Sequence, residues 1–234
     1  MDSMHLNPKF VLDSKDLALY REAHPLPAKF LIPAKTLSKP MLVLDFDETL
    51  LHVEYKAPPN FDFQTECDKR AMFVQVRPHL KTFLAKVKPH YEVAVFTAAQ
   101  PNYADPMLDR VDTERCIQYR FYRQHCHVFR EVYVKDLETL GTPLERTLIV
   151  DNHPGSFMVH RNNGIPIKSY MGDSGDTALL ELWGFLDEIK SETDMIPKAV
   201  QYANGWREKL SRQKKKAEAS ATQSYESSTS SGPQ

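Results

Sequence analysis

Cysteine and long apolar runs are scarce in this chain, and each scarcity removes a class of protein. Three cysteines (Cys67, Cys116, Cys126) are an odd number without framework spacing, which argues against a disulfide scaffold and for a reducing, intracellular setting, nuclear or cytoplasmic. No stretch approaches the ~20 apolar residues that cross a bilayer, so no membrane span is expected. Met1-Asp2-Ser3-Met4-His5 has no apolar signal core and is too acidic for a good transit peptide. Thirty basic residues face thirty-one acidic ones, a formal net charge of −1, which leaves no surplus for nucleic-acid phosphates, so no direct nucleic-acid contact is expected. His125-Cys126-His127 does not suit zinc, because adjacent strand residues face opposite sides and no fourth ligand is evident.

What is present is concentrated in Met41-Leu42-Val43-Leu44-Asp45-Phe46-Asp47-Glu48-Thr49-Leu50. Four apolar residues in a row suit a strand buried on both faces of a parallel sheet. Residues i and i+2 of an extended chain share a side, so Asp45 and Asp47 project together where the strand ends. Two neighbouring carboxylates repel, and burying them requires a compensating charge. A hard divalent cation such as Mg²⁺ supplies it, and Mg²⁺ beside carboxylates commonly serves phosphate chemistry. A bare Asp-x-Asp could equally cap a strand-to-helix turn; the apolar strand before it and Thr49 after it favour a site.

The rest of the chain alternates strands and helices. Residues 61–65 and 72–76 flank a polar turn and read as a hairpin. Pro78 opens a helix to about Lys88, Tyr91–Phe96 is a second buried strand, and Pro101–Val111 is the next helix. Arg120–Tyr122, Glu131–Val134, Thr147–Val150 and Ile165–Ile167 read as strands. Leu179, Leu182, Leu186 and Ile189 form a core-facing helical stripe. The order predicts a doubly wound α/β fold with a mostly parallel sheet and a β-hairpin insertion. Residues 1–37 read as an arm packed in extended form, 38–195 as the domain, 196–216 as a C-terminal helix and 217–234 as a disordered tail. Ligands in such sheets sit beyond the carboxyl ends of the strands. Three strands end on functional polar residues: Asp45, Thr97 and Asp151-Asn152.

The strings DFDETLLH, RPHL, FTAAQPNYADP, VKDL and LIVDNHP resemble, in order, the motifs of the haloacid dehalogenase superfamily. More closely, residues 38–195 resemble the catalytic domain of the small C-terminal-domain (CTD) phosphatases and their Dullard-type relatives. The resemblance implies a Mg²⁺-dependent protein serine/threonine phosphatase working through an aspartyl-phosphate. In it Asp45 is the nucleophile, Asp47 the general acid and base, and Thr49 steadies the loop. Thr97 bonds phosphoryl oxygens, and Lys135 neutralises phosphate and Asp45. Asn152 completes a Mg²⁺ shell with Asp45 and the Asp47 carbonyl, Asp151 acts from behind it or through water, and Arg123 contacts substrate or orders the site.

No inserted lid domain fits between Thr49 and Thr97 or between Thr97 and Lys135. The cleft should therefore be open and the partner a phosphoprotein; the resemblance implies the RNA polymerase II C-terminal repeats as a candidate. In the resembled proteins the equivalent insertion forms an apolar pocket for a proline near the phosphoserine, and Tyr55, Phe61, Phe63 and Phe73 are the candidates to build it here, although packing of the hairpin onto the domain explains each of them as well. Gln100 stands where the resembled proteins carry an apolar pocket residue, and the hairpin is a few residues shorter. A monomer is expected. The competing expectation is a catalytically weak or inactive scaffold on the same fold.

Overall fold

The computed structural model describes residues 11–32 and 38–229, with side chains described through 213 and at 215. Parts of the expected arm (1–10 and 33–37) and the end of the expected tail (230–234) lie outside the described residues.

The elements run α1 (Ser14–Ala23), β1 (Met41–Leu44), β2 (Leu51–Glu54), β3 (Phe63–Cys67), β4 (Arg70–Val76), α2 (Leu80–Val87), β5 (Glu92–Phe96) and α3 (Pro101–Val111). They continue with β6 (Tyr119–Phe121), β7 (His127–Phe129), β8 (Val132–Val134), β9 (Thr147–Asp151), β10 (Gly164–Pro166), α4 (Ala178–Ile189) and α5 (Ile196–Thr229). The main sheet has the order β10-β9-β1-β5-β6, and all four of its pairings are parallel. This is the α/β fold that the alternation predicts. β1 sits at its centre because all four of its side chains are apolar and each face must be covered. Leu42 and Leu44 join one core with α2, α3 and α4. Met41 and Val43 face a second core holding Leu137, Leu140, Phe157 and Ile32 of the arm. That second face is covered by short 3-10 turns and the arm rather than by long helices.

Three local readings change. The hairpin is part of a three-stranded antiparallel sheet, β2-β4-β3, because Leu51-His52-Val53-Glu54 alternates and pairs with β4. The segment 14–23 is helical rather than extended: Asp13 and Asp16 form a reciprocal capping box, and Tyr20 is buried. The last helix runs on to Thr229, past the expected end at 216, and no glycine or proline interrupts the sequence between Gly205 and Gly232.

Arg77 ties the lower sheet to the loop after β1. It is buried, its Nε and Nη2 grip Asp176 at 2.8 and 3.0 Å, and it donates to the Thr49 and Lys168 carbonyls at 3.0 and 2.9 Å. Burial pushes the Asp176 pKa up, but the Arg77 hydrogen bonds and charge outweigh that and leave it below the ordinary value. Removing one partner of a buried pair strands the other. Arg77→Ala is therefore expected to cost about 3–5 kcal/mol in urea unfolding at pH 7. A depressed carboxylate stabilises the fold above its unfolded pKa of about 3.9 and loses that contribution as pH falls through the native value. The stability gap between wild type and Arg77→Ala should thus narrow in acid; a constant gap would show that the pair is not its source.

Candidate active site

The site lies at the carboxyl ends of β1, β5 and β9, where the strand order departs in opposite directions from β1. The β1–β9 register aligns Leu44 with Val150, and the Asp45 N–H continues the ladder to the Val150 carbonyl at 2.9 Å. Asp45 and Asp151 are thereby neighbours by backbone geometry alone. Lys135 follows β8, and its backbone N–H donates to the Ser156 carbonyl at 2.7 Å. Its ammonium reaches Asp45 Oδ1 at 2.5 Å and Asp151 Oδ2 at 2.7 Å while only 1% of the residue is exposed. Burial alone lowers the lysine pKa; the two carboxylates more than reverse that and keep it charged. Burial and the Asp45 charge raise the Asp151 pKa, because one cation serves two acids.

Asp47 has different company. Its Oδ1 accepts from the Tyr103 hydroxyl at 2.9 Å, and its Oδ2 lies 3.4 Å from the Thr97 hydroxyl. Burial, and then the Asp45 charge, push its pKa up to about 7. Thr49 donates to Asp45 Oδ2 at 2.8 Å, with Asn152 Oδ1 at 3.3 Å from the same hydroxyl. Asn152 is oriented by its amide, which donates to Ser169 Oγ at 3.1 Å. Glu48 follows Asp47 with φ at 54°, a left-handed conformation held by its N–H to the Leu51 carbonyl and by its carbonyl to the Tyr170 N–H.

The structure thus brings Asp45, Asp47, Thr49, Thr97, Lys135, Asp151 and Asn152 to one place. The carboxylates of Asp45, Asp47, Glu48 and Asp151 outnumber the single buried ammonium there, and the oxygens of Asp45 and Asn152 converge on Thr49. Hard oxygen donors with unbalanced negative charge fit a hard divalent cation. A separate buried acidic group, Asp136, Glu138 and His160, offers ligand atoms within 4.8 Å of one another, enough to hold a metal ion, although Arg21 already pairs with both of its carboxylates.

Two open clefts meet at Asp47, Glu48 and Ala98. One, about 570 Å³, holds Asp45, Lys135, Asp151 and Asn152 and is walled by Tyr133 and Met171. The other, about 720 Å³, is lined by Tyr55, Arg70, Gln100, Asn102, Tyr103 and Arg123. Tyr55 and Arg123 therefore stand beside the acid pair, and Arg123 is steadied by the Ala98 carbonyl at 2.6 Å and by the Tyr133 ring. Phe63 and Phe73 are not brought there. Phe63 is buried under the Arg110 guanidinium, 4.5 Å away, and Phe73 packs edge-on against Phe61. Phe63 is registered with Val74 and so faces opposite to Phe73, while Phe61, which precedes β3, packs on Phe73. Tyr103 was missed by the sequence reading. The signal was there: Pro101 starts α3 at the carboxyl end of β5, which puts the first turn of that helix over the site.

The fold and the site define a parallel α/β protein with paired carboxylates, a buried lysine and, among the described residues, no inserted domain over the cleft. The chain belongs to the NLI interacting factor-like phosphatase family, whose model matches residues 40–196. It is 43% identical over 158 residues to a probable C-terminal domain small phosphatase of Dictyostelium discoideum, covering 66% of this chain and 52% of that protein. It is 38% identical over 176 residues to a human CTD small phosphatase-like protein (72% and 64%) and 39% identical over 168 residues to CTD nuclear envelope phosphatase 1 of Xenopus tropicalis (66% and 69%). The chain spans about half to two thirds of the length of these relatives. Among the described residues no helix is long and apolar enough to cross a membrane.

A cation that binds the native state raises stability by about 2.7 kcal/mol at a hundred times its Kd. Mg²⁺ is accordingly expected to raise the melting temperature of the wild type, and to do so far less for Asn152→Ala. An equal rise in both proteins would remove Asn152 from the ligand set.

Proposed function

We propose that this chain is a Mg²⁺-dependent phosphatase of phosphoserine and phosphothreonine in proteins, working through a phosphorylated Asp45. The observation that carries the reading is the unequal environment of the two acids. Asp45 is paired with the Lys135 ammonium and accepts from the Thr49 hydroxyl, whereas Asp47 makes no such ion pair among the described residues and its pKa is raised to about 7 by burial and the Asp45 charge. Acids set in such different environments can divide nucleophile and proton donor between them.

In the first step an Asp45 oxygen attacks phosphorus, the bond from phosphorus to the seryl or threonyl oxygen breaks, and Asp47 gives that oxygen its proton. In the second, Asp47 takes a proton from water as the water attacks phosphorus, releasing phosphate and restoring the Asp45 carboxylate. Lys135 offsets charge on the transferring group and on Asp45, and the Thr97 hydroxyl is near enough to Asp47 to share in orienting the phosphoryl oxygens. Asp45, Asn152 and the Asp47 carbonyl would hold a Mg²⁺, which would supply further positive charge to a loose, anionic transition state. Tyr103 fixes the face that Asp47 offers.

An open cleft suits a protein chain better than a small phosphate ester. Between Thr49 and Thr97 there is room only for the small sheet and α2, and between Thr97 and Lys135 only for α3, β6 and the β7–β8 hairpin. Family membership and relatives named as CTD phosphatases support the same substrate class. An intracellular site of action fits the three unpaired cysteines and a relative named for the nuclear envelope. RNA polymerase II repeats are one candidate substrate, but the cleft beside Asp47 carries Arg70, Gln100 and Asn102 in place of the phenylalanines expected to receive a proline.

Hydrolysis of p-nitrophenyl phosphate with and without Mg²⁺ tests the chemistry. Asp45→Asn is expected to lose at least about 10³-fold in kcat/KM while remaining folded. Activity retained in that variant would remove Asp45 as nucleophile, and an inactive wild type would favour a binding role. In a phosphopeptide panel, replacing the proline that follows phosphoserine is expected to change kcat/KM by less than about threefold, since a well-filled apolar pocket is worth 10-fold or more. A strong loss would restore the apolar-pocket reading.

A further inference from the structure

We propose that α1 is a positioning strap for Lys135: Tyr20 and Arg21 grip the Asp136 carboxylate and so fix the backbone that presents the lysine to Asp45 and Asp151. The activity arm of the test rests on the phosphatase reading; the geometry does not. α1 lies outside residues 40–196, the part shared with the family.

Asp136 is fully buried and immediately follows Lys135. Its carboxylate accepts from the Tyr20 hydroxyl at 3.1 Å and from Arg21 at 2.8 Å, both on α1, and meets His160 Nε2 at 2.7 Å. It also caps the turn Leu137–Leu140 by accepting from the Glu138 N–H at 3.1 Å. Tyr20 is 1% exposed and also meets His127 Nδ1 at 2.8 Å on β7, the strand paired with β8. Arg21 pairs with Glu138 as well, so its guanidinium supplies the cation to the buried acidic group that could otherwise hold a metal. Further along the arm, the Leu31 and Ile32 N–H groups donate to the Thr139 and Leu140 carbonyls at 2.9 and 3.1 Å.

Lys135 is therefore pinned on two sides, by the Ser156 carbonyl at its own N–H and by the network at the next residue. Without α1, Asp136 keeps His160, its backbone donor and the more distant His127 Nδ1 at 3.8 Å, and a buried carboxylate that loses its closest cation and a hydroxyl donor draws its backbone toward water. A displacement of about 1 Å at a catalytic group can cost 100-fold in rate. The Lys135 ammonium, which reaches both acids at short range, is exposed to such a loss. Tyr20 and Arg21 are positioning residues, since neither touches the cleft.

The test uses the full chain, p-nitrophenyl phosphate and Mg²⁺, with amide hydrogen exchange over residues 134–140 as a readout independent of activity. Tyr20→Phe combined with Arg21→Gln is expected to lower kcat by about tenfold with KM within about twofold, and to speed exchange in that segment. Arg21→Lys, which keeps the charge, should restore part of the rate. Asp16→Asn weakens the α1 pair with Arg130, keeps a side-chain oxygen to accept from the Asp13 N–H at the start of α1, and does not touch Asp136; it is expected to keep the wild-type kcat. The proposal is overturned if the double variant keeps both its rate and its protection, or if Asp16→Asn loses as much, which would reduce α1 to a general brace. Should the wild type prove inactive, the phosphatase reading fails, and unchanged exchange in the double variant alone would still overturn the strap.

Discussion

One buried ammonium shared by two carboxylates organises this molecule. The parallel register of β1 with β9 sets Asp45 and Asp151 side by side, an arrangement that would be repulsive without Lys135 between them. The backbone of the next layer exists to deliver that charge. β8 ends at Val134, the Ser156 carbonyl takes the Lys135 N–H, and the turn that follows is capped by Asp136. The lysine contacts Asp45 and Asp151 rather than Asp47, whose proton affinity is raised by burial and then by the Asp45 charge.

The main sheet was readable from the sequence because its strands are short, apolar and doubly buried. Met41–Leu44 and Thr147–Val150 leave little alternative to parallel central strands, and each ends in its functional residue. β2 was harder to see, since Leu51-His52-Val53-Glu54 directly continues the acid-pair motif and its alternation is only four residues long. α1 was obscured by a weak amphipathic pattern: its binding face is polar, built from Tyr20 and Arg21, and apolar periodicity does not register such a face. The acid pair, Lys135 and Asn152 were identifiable because they close strands or stand in ordered motifs. The assignment of Phe63 and Phe73 rested on the resemblance and on their place in the hairpin. Which face of a hairpin meets the domain depends on its packing against α3 and Arg110, information that composition does not carry.

The clefts on either side of Asp47 differ in character. Toward Lys135 the wall is Tyr133 and Met171, with Met171 53% exposed; toward α3 it is polar and carries both guanidinium and carboxylate groups. The two walls that flank Asp47 thus differ, with Arg123 and Tyr133 in contact at the boundary between them.

The central place of β1 has a consequence for the order of events during synthesis. Asp45 and the lysine that neutralises it are separated by 90 positions. At translation rates of about 5–20 residues per second, β1 waits roughly 5–20 s for that charge. During that interval β5 (Glu92–Phe96) is made and can pair with β1, but β9 on the other side is not. Asp151 is added 16 positions after Lys135, so the charge cluster cannot be complete until β9 has been made.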